Sequence, residues 1–116
     1  MKIKIDPLDS QFSKLIRAQR PVCEICLKNK STQIHHWKGR RCQSVRFDPD
    51  NVWAVCFACH RKFEEDPEFS MFVMLKRLGQ RFDAFILKAK TPKPKYMTDR
   101  KLLKMWIDQE MKKVTK

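Results

Sequence analysis

This sequence has few acidic residues, few glycines and no long apolar run. Its 116 residues include 13 Asp and Glu against 26 Lys and Arg, which gives a net charge of +13, and only two glycines. No apolar run approaches the roughly 18 residues that a membrane span requires. The first seven residues alternate charged with apolar side chains and lack the apolar stretch of a secretory signal. We therefore expect a cytoplasmic protein without a membrane segment.

The chain is also too short to bury a large core. A domain of this length buries roughly two-thirds of the surface that its unfolded chain exposes, and such domains often need a metal or a disulfide. Hydrophobic residues make up 42% of the sequence, which excludes a wholly disordered chain, and five cysteines are present. In a reducing cytoplasm, paired cysteines more often bind metal than form disulfides. We therefore expect one domain that a metal ion stabilises.

Four of the five cysteines form two Cys-x-x-Cys pairs. Cys23 and Cys26 form the first pair, Cys56 and Cys59 form the second, and 29 residues separate the pairs. Zinc binds four thiolates as a tetrahedron, and each pair offers two thiolates from one turn. We predict a structural zinc site, with reduced thiols packed as small hydrophobes or a redox pair as the alternatives. Cys42 is expected to be a free thiol, with a role as an alternative zinc ligand as the other possibility.

Apolar spacing and helix caps predict an α+β fold. Helices are expected after the Asp-Pro caps at 6–7 and 66–67, from the second cysteine pair onward, over 80–90, and after Thr98 or Asp99. Short strands are expected at 31–37 and 52–55. The polar loop between the strands is long enough to let them pair in the antiparallel direction.

The excess of positive charge is largest at the end of the chain. Residues 88–116 contain 10 basic and 3 acidic side chains. We divide the chain into a domain over 1–90, with its core at 22–66, and a basic linker and helix over 91–116. Basic arms suit a nucleic-acid partner, because each cation that neutralises a phosphate releases a counterion. The alternative is that the basic side chains only make the surface soluble.

The apolar face around Trp106 can dock on this chain or on a second copy, so a homodimer stays open.

All three histidines lie beside the predicted zinc site. His35 and His36 end the first predicted strand, and His60 directly follows Cys59. Folding around zinc would bring them together as a second site, where a divalent cation keeps open positions for water and a phosphate oxygen. An unbound imidazole can act as general base at neutral pH. Because successive strand side chains face opposite ways, we expect His35 and His36 to share one site only if the strand end is kinked; otherwise His35 is structural.

Four sequence blocks in this order resemble the HNH or ββα-metal endonucleases. After the first Cys-x-x-Cys they are Ile34-His35-His36-Trp37, Asp50-Asn51-Val52 and Cys56-Phe57-Ala58-Cys59-His60. The wider pattern over 12–79 is similar to the phage members, namely the NinG/Rap recombination nucleases of lambdoid phages. The resemblance implies a zinc-stapled ββα-metal core with one helix before it and two or three after it.

The resemblance also implies a role for each site residue. His36 would be the general base that activates water on the scissile phosphate, and Asn51 would orient that base or support the loop. His60 and His35 would hold a catalytic divalent cation, Mg²⁺ or another, while the four paired cysteines would bind structural zinc. The implied function is metal-dependent hydrolysis of DNA phosphodiester bonds in phage recombination, repair or packaging, with branched DNA among the substrates.

The loop between the predicted strands carries several charged residues. We predict that its basic side chains bind backbone phosphates, with plain surface residues as the alternative: Lys38, Arg40, Arg41 and Arg46. Asp48 and Asp50 could replace His35 as a metal ligand or lie in a solvated turn.

The competing function is a non-catalytic zinc-knuckle module that binds nucleic acid. A histidine base beside the zinc site distinguishes the nuclease from that module.

Overall fold

A computed structural model describes residues 6–93 and 99–115, and the predicted α+β fold class is confirmed there. The helices are α1 (Pro7–Gln19), α2 (Phe57–Glu65), α3 (Pro67–Leu78), α4 (Phe82–Lys90) and α5 (Arg100–Val114), and the strands are β1 (Gln33–His36) and β2 (Val52–Val55). The predicted cap Thr98 and the end of the predicted linker, Pro94 and Lys95, lie outside the described residues. No described helix is both long and apolar enough to cross a membrane.

Local sequence signals explain where the helices begin and end. Asp6, Asp66 and Asp99 precede α1, α3 and α5, and each carboxylate accepts a hydrogen bond from a backbone N–H of the first turn at 2.9 to 3.0 Å. Proline follows Asp6 and Asp66 with its φ already near the helical value. α3 ends at Gly79, whose φ of 54° lies in the left-handed region that favours glycine.

The strands form a two-stranded antiparallel ribbon that separates two apolar cores. Alternate residues of β2 enter opposite cores, which is why all four are buried. The cysteine-side core consists of Cys23, Val45, Trp53, Val55, Cys56, Phe63, Met74, Leu78 and Phe85. The α1-side core consists of Leu8, Phe12, Leu15, Ile16, Val52, Ala54 and Ile107. The cysteine pairs therefore belong to one side of the ribbon only.

The last helix belongs to the α1-side core. Ile107 is 2% exposed, and the ring centroid of Trp106 lies 6.4 Å from that of Phe12 in α1. At the start of α5, Arg100 pairs with Asp6 at 2.7 Å. Of the two docking alternatives for its apolar face, the structure shows docking on this chain's own core. The helix that the sequence suggested as part of a basic arm is thus packed against α1.

Candidate functional site

The two Cys-x-x-Cys pairs meet beside the end of β2, where Cys56 directly follows Val55. The Sγ atoms of the four cysteines lie within 4.8 Å of one another, so the cluster could hold a metal ion such as zinc. The first pair sits in a tight turn in which the N–H of Leu27 donates to the carbonyl of Cys23 at 3.0 Å. In the second pair, Cys56 is the residue before α2, and Cys59 lies in its first turn. Local turns therefore set the spacing within each pair, and folding brings the pairs together.

Backbone donors favour the thiolate at two positions of this cluster. The backbone N–H of Cys59 lowers the pKa of Cys56 to about 6. The backbone N–H groups of Asn29 and Lys28 lower the pKa of Cys26. Burial raises the pKa of the Cys59 thiol to about 12. The thiolate is the form that binds zinc. Cys42 lies apart from the cluster, and its Sγ donates to the carbonyl of Ala89 at 3.2 Å.

The histidine pair on β1 follows the regular strand alternation. Across the ribbon, His35 pairs with Trp53 and His36 pairs with Val52, and the register has no bulge. The two imidazoles therefore face opposite cores. The kinked strand end that the sequence argument required is not observed.

A second group of metal-ligand side chains lies on the cysteine side of β1. His35, His60 and Glu64 each offer a ligand atom, and these atoms lie within 4.8 Å of one another. Phe63 stacks on His35 with ring centroids 4.7 Å apart, and Gln33 contacts Nδ1 of His60 through its side-chain oxygen. The structure therefore brings together the predicted pair His35 and His60. It adds Glu64, whose four-residue spacing from His60 on a helix was the signal that could have revealed it.

Burial keeps His35 in the form that binds metal. Desolvation and, to a smaller extent, the neighbouring His60 together lower the pKa of His35 to about 4. The imidazole is therefore neutral at neutral pH, with a nitrogen lone pair available to a cation.

The two aspartates of the loop lie in other contacts. Asp48 pairs with Lys88 at 2.7 Å, and Asp50 pairs with Arg81 at 3.0 Å. Neither belongs to the ligand group around His35. The alternative in which one of them replaces His35 as a ligand has no support in this arrangement.

His36 lies on the α1 side of the ribbon. Its Nε2 is 3.1 Å from the carbonyl oxygen of Arg46, and its ring centroid lies 6.4 Å from that of Phe12. Burial lowers the pKa of His36, and the carbonyl of Arg46 partly opposes that shift. A tautomer that donates from Nε2 leaves Nδ1 as the free acceptor. His36 can therefore accept a proton at neutral pH.

Asn51 supports the loop that follows β1. Its side chain is fully buried, and its Oδ1 accepts from the N–H of Lys38 at 2.8 Å. Its Nδ2 donates to the carbonyls of Lys38 at 2.9 Å and Val45 at 3.1 Å. Of the two roles expected for this residue, the contacts are those of loop support, and it has no direct hydrogen bond to His36.

A cleft of about 550 Å³ runs along the free edge of β1, from Thr32 to His36. Side chains of α1 line one wall, and His60 and Glu64 of α2 line the other. Because the cleft follows the strand edge, side chains from both faces of β1 reach it. His35 and His36 therefore share one cleft although they point in opposite directions.

Only one of the four predicted phosphate-binding residues lines this cleft, namely Arg40. Arg46 is 9% exposed and forms a buried bidentate ion pair with Asp9, with Nε at 3.0 Å from Oδ1. Its predicted role in binding phosphate is therefore not supported. Lys38 extends over the ring of Trp37, and Arg41 is exposed but does not line the cleft.

Comparison of the chain with protein-family models, with curated proteins and with solved structures finds no match. The chemistry of the site must therefore be inferred from its own geometry. Four thiolates complete a tetrahedral coordination sphere, as in structural zinc sites. Two imidazoles and one carboxylate leave coordination positions for other ligands, as catalytic sites do.

Proposed function

We propose that this protein is a metal-dependent endonuclease of the HNH type, which hydrolyses DNA phosphodiester bonds in phage recombination, repair or packaging. One observation carries the proposal: His36 and the ligand group of His35, His60 and Glu64 line the same cleft. Hydrolysis of a phosphodiester needs a base for water and a group that stabilises negative charge within reach of one phosphate. A module that only binds nucleic acid needs neither.

Two different metals fit the two ligand groups. The four cysteines suit structural zinc, whose loss would separate the segments that it joins. The group of His35, His60 and Glu64 suits a divalent cation, and its two imidazoles favour a transition metal such as Ni²⁺ over Mg²⁺. A cation held there would supply stabilisation of negative charge on the phosphate and on the leaving 3′ oxygen.

His36 would remove the proton from the attacking water. Its hydrogen bond to the carbonyl of Arg46 fixes the ring, and its lowered pKa keeps the imidazole neutral and ready to accept a proton. Asn51 binds the carbonyl of Val45, the residue next to Arg46. We therefore assign Asn51 as a positioning residue that acts on His36 through this part of the loop.

The test is cleavage of supercoiled plasmid and branched DNA with Mg²⁺, Mn²⁺ or Ni²⁺. His36→Ala should lower the rate by about 10²- to 10⁴-fold, the usual contribution of a general base. Its circular dichroism spectrum and zinc content should match those of the parent. Thr32→Ala changes an exposed residue that lines the same cleft, at the opposite end of the strand edge from His36. It serves as the matched control and should cleave DNA like the parent. Equal cleavage by the parent and a folded His36→Ala variant would contradict the mechanism.

The net charge of +13 favours a second candidate function, a non-catalytic zinc-knuckle module that binds nucleic acid. This alternative predicts DNA binding without cleavage in the presence of any of the three cations. It also predicts that His36→Ala leaves binding unchanged.

A further inference from the structure

The α1 wall of the cleft carries polar side chains that the proposed hydrolysis does not use. Ser10, Ser13 and Arg17 line the cleft together. Their spacing of three and four residues places them on one face of the helix. The Nε of Arg17 donates to the carbonyl of Ser13 at 3.2 Å, which holds the guanidinium along this face. Among the ion pairs of the described residues, none involves Arg17.

The cleft is electrostatically suited to an anion at this wall. The carboxylate of Asp9 also lines the cleft, but its bidentate ion pair with Arg46 neutralises it. Arg40 is exposed, and its Nη1 lies 4.0 Å from the same carboxylate. Glu64 lies on the opposite wall, within the metal-ligand group. Arg17 and Arg40 therefore remain as cations at the α1 side, where they can attract a phosphate.

The length of the wall indicates the class of ligand. Arg17 follows Ser10 by seven positions in the helix, which corresponds to about 10 Å at a rise of about 1.5 Å per residue. One strand of DNA advances about 3.4 Å per nucleotide along its axis, so this face is longer than one nucleotide step. Hydroxyl and guanidinium groups are typical donors to backbone phosphate oxygens. A polynucleotide strand fits these features better than a single phosphate group does.

We propose that α1 is the phosphate-binding wall of the cleft, where Ser10, Ser13 and Arg17 contact successive backbone phosphates of one DNA strand. The inference rests on the proposed function, because the bound strand is the one whose phosphodiester lies at His36. It adds a binding surface on α1, outside the loop that the sequence singled out.

The test measures DNA binding rather than cleavage. Zinc-loaded protein is titrated, without any other divalent cation, into a short fluorescent DNA strand and its duplex over a series of salt concentrations. Arg17→Ala should weaken binding about tenfold, as expected for a charge-assisted contact. It should also flatten the plot of log affinity against log salt by about one unit, because one counterion fewer is released.

Two variants on the same helix sharpen this test. Lys14→Ala removes the same charge from an exposed position that does not line the cleft, and should change affinity less than about twofold. Ser13→Ala should weaken binding about threefold with the salt slope unchanged, because a neutral hydroxyl releases no counterion. Arg17→Lys should keep the salt slope of the parent. If Arg17→Ala fails to fold, Arg17→Gln retains most of the side chain and replaces it.

Several results would overturn this wall. The first is an equal loss of DNA affinity in Arg17→Ala and Lys14→Ala. The second is unchanged DNA binding by a folded Arg17 variant. The third is a parent protein that does not bind DNA. Cleavage assays on the same proteins separate this inference from the proposed function. A parent that binds through Arg17 but cleaves no DNA contradicts only the reaction, whereas a parent that cleaves while Arg17→Ala binds as tightly contradicts only the wall.

Discussion

The two sides of the β1–β2 ribbon are stabilised by different chemistry. On the cysteine side, a cysteine turn and a helix of only 9 residues carry the four thiols, and two further helices contribute to the same apolar core. On the α1 side, helices of 13 and 15 residues pack together and bury Phe12, Leu15 and Ile16 completely. The polar anchor of this second side is a cluster of ion pairs around Asp6 and Asp9.

This difference indicates how the cleft is held. The cysteine turn and the 9-residue helix α2 are too short to be stable in isolation, and the metal that the four cysteines could hold would join them, whereas α1 and α5 are longer amphipathic helices that burial can stabilise. The cleft lies where the two sides meet, along the free edge of β1. His35 and the rest of its ligand group depend on the cysteine side, and His36 depends on the α1 side. The site is therefore complete only when both sides are folded.

The largest effect should follow loss of the predicted zinc. Cys56→Ala, or prolonged treatment with a chelator, should abolish cooperative thermal unfolding, because a structural zinc contributes on the order of 10 kcal/mol. Circular dichroism and zinc content per chain measure this. Cys42→Ser changes a cysteine outside the cluster and should preserve both. If Cys56→Ala melts like Cys42→Ser, the cysteine side does not depend on metal and the comparison fails.

An intermediate effect is expected from Arg77, which ties α3 to the first cysteine pair. Its guanidinium donates to the carbonyl of Val52 at 2.6 Å and to Glu24 at 3.0 Å, and it lies over the ring of Trp53. Burial lowers the pKa of Arg77 to about 10, so it stays charged at neutral pH. Arg77→Ala should cost about 2 to 3 kcal/mol, because it removes the hydrogen bonds to Val52 and Glu24 together with the packing of the guanidinium over Trp53.

Urea unfolding of the zinc-loaded protein measures the Arg77 effect. Lys76→Ala removes a charge from the adjacent, exposed position and serves as the matched control. If the two variants have equal unfolding midpoints, the cysteine side does not depend on this polar contact.

The smallest effect concerns the ion pairs of the α1 side. A hydrogen bond from Arg100 lowers the pKa of Asp6 from 3.8 to about 2. Because the folded pKa is below the unfolded value, this stabilisation is present above about pH 4 and is lost as the pH falls toward 2. Asp6→Asn should therefore melt slightly below the parent at neutral pH. The effect is small because Arg100 is largely exposed, with 47% of its side chain accessible.

The pH dependence of the difference between Asp6→Asn and the parent isolates this charge. Asparagine still caps α1, so the substitution removes the ion pair and leaves the cap. Taking the difference in melting temperature at each pH cancels effects that both proteins share, including any loss of zinc in acid. A difference that stays constant down to pH 2 would show that the charge of Asp6 does not stabilise the α1 side.

Several features of the fold and the site were predictable because they depend on neighbours in sequence. The caps at Asp6 and Asp66 bond their own first turns, and each Cys-x-x-Cys pair is confined to one turn. Alternation along the strand correctly predicted that His35 and His36 face opposite ways. A shared site was expected only for a kinked strand end, and the structure shows that both imidazoles line one cleft along a regular strand. A cleft along a strand edge is accessible from both faces, and no local pattern shows that the edge stays open.

Long-range contacts account for what the sequence argument missed. Arg46 in a basic loop is typical of a phosphate ligand, but its partner Asp9 is 37 residues away and turns it inward. Glu64 joins the group of possible metal ligands only because α2 packs beside β1. The polar face of α1 becomes a wall only because its apolar face docks on Val52 and Ala54.

The sequence by itself determined the helix ends, the two cysteine pairs, the alternation of the strands and the positive charge, because these depend on residues close in the chain or on composition. Only the tertiary structure decided that α1 and α2 flank an open strand edge, which side chains enter that cleft and which cations are already neutralised. Those outcomes depend on how apolar faces pack across the ribbon. Packing brings together residues whose spacing in the sequence carries no sign of their contact.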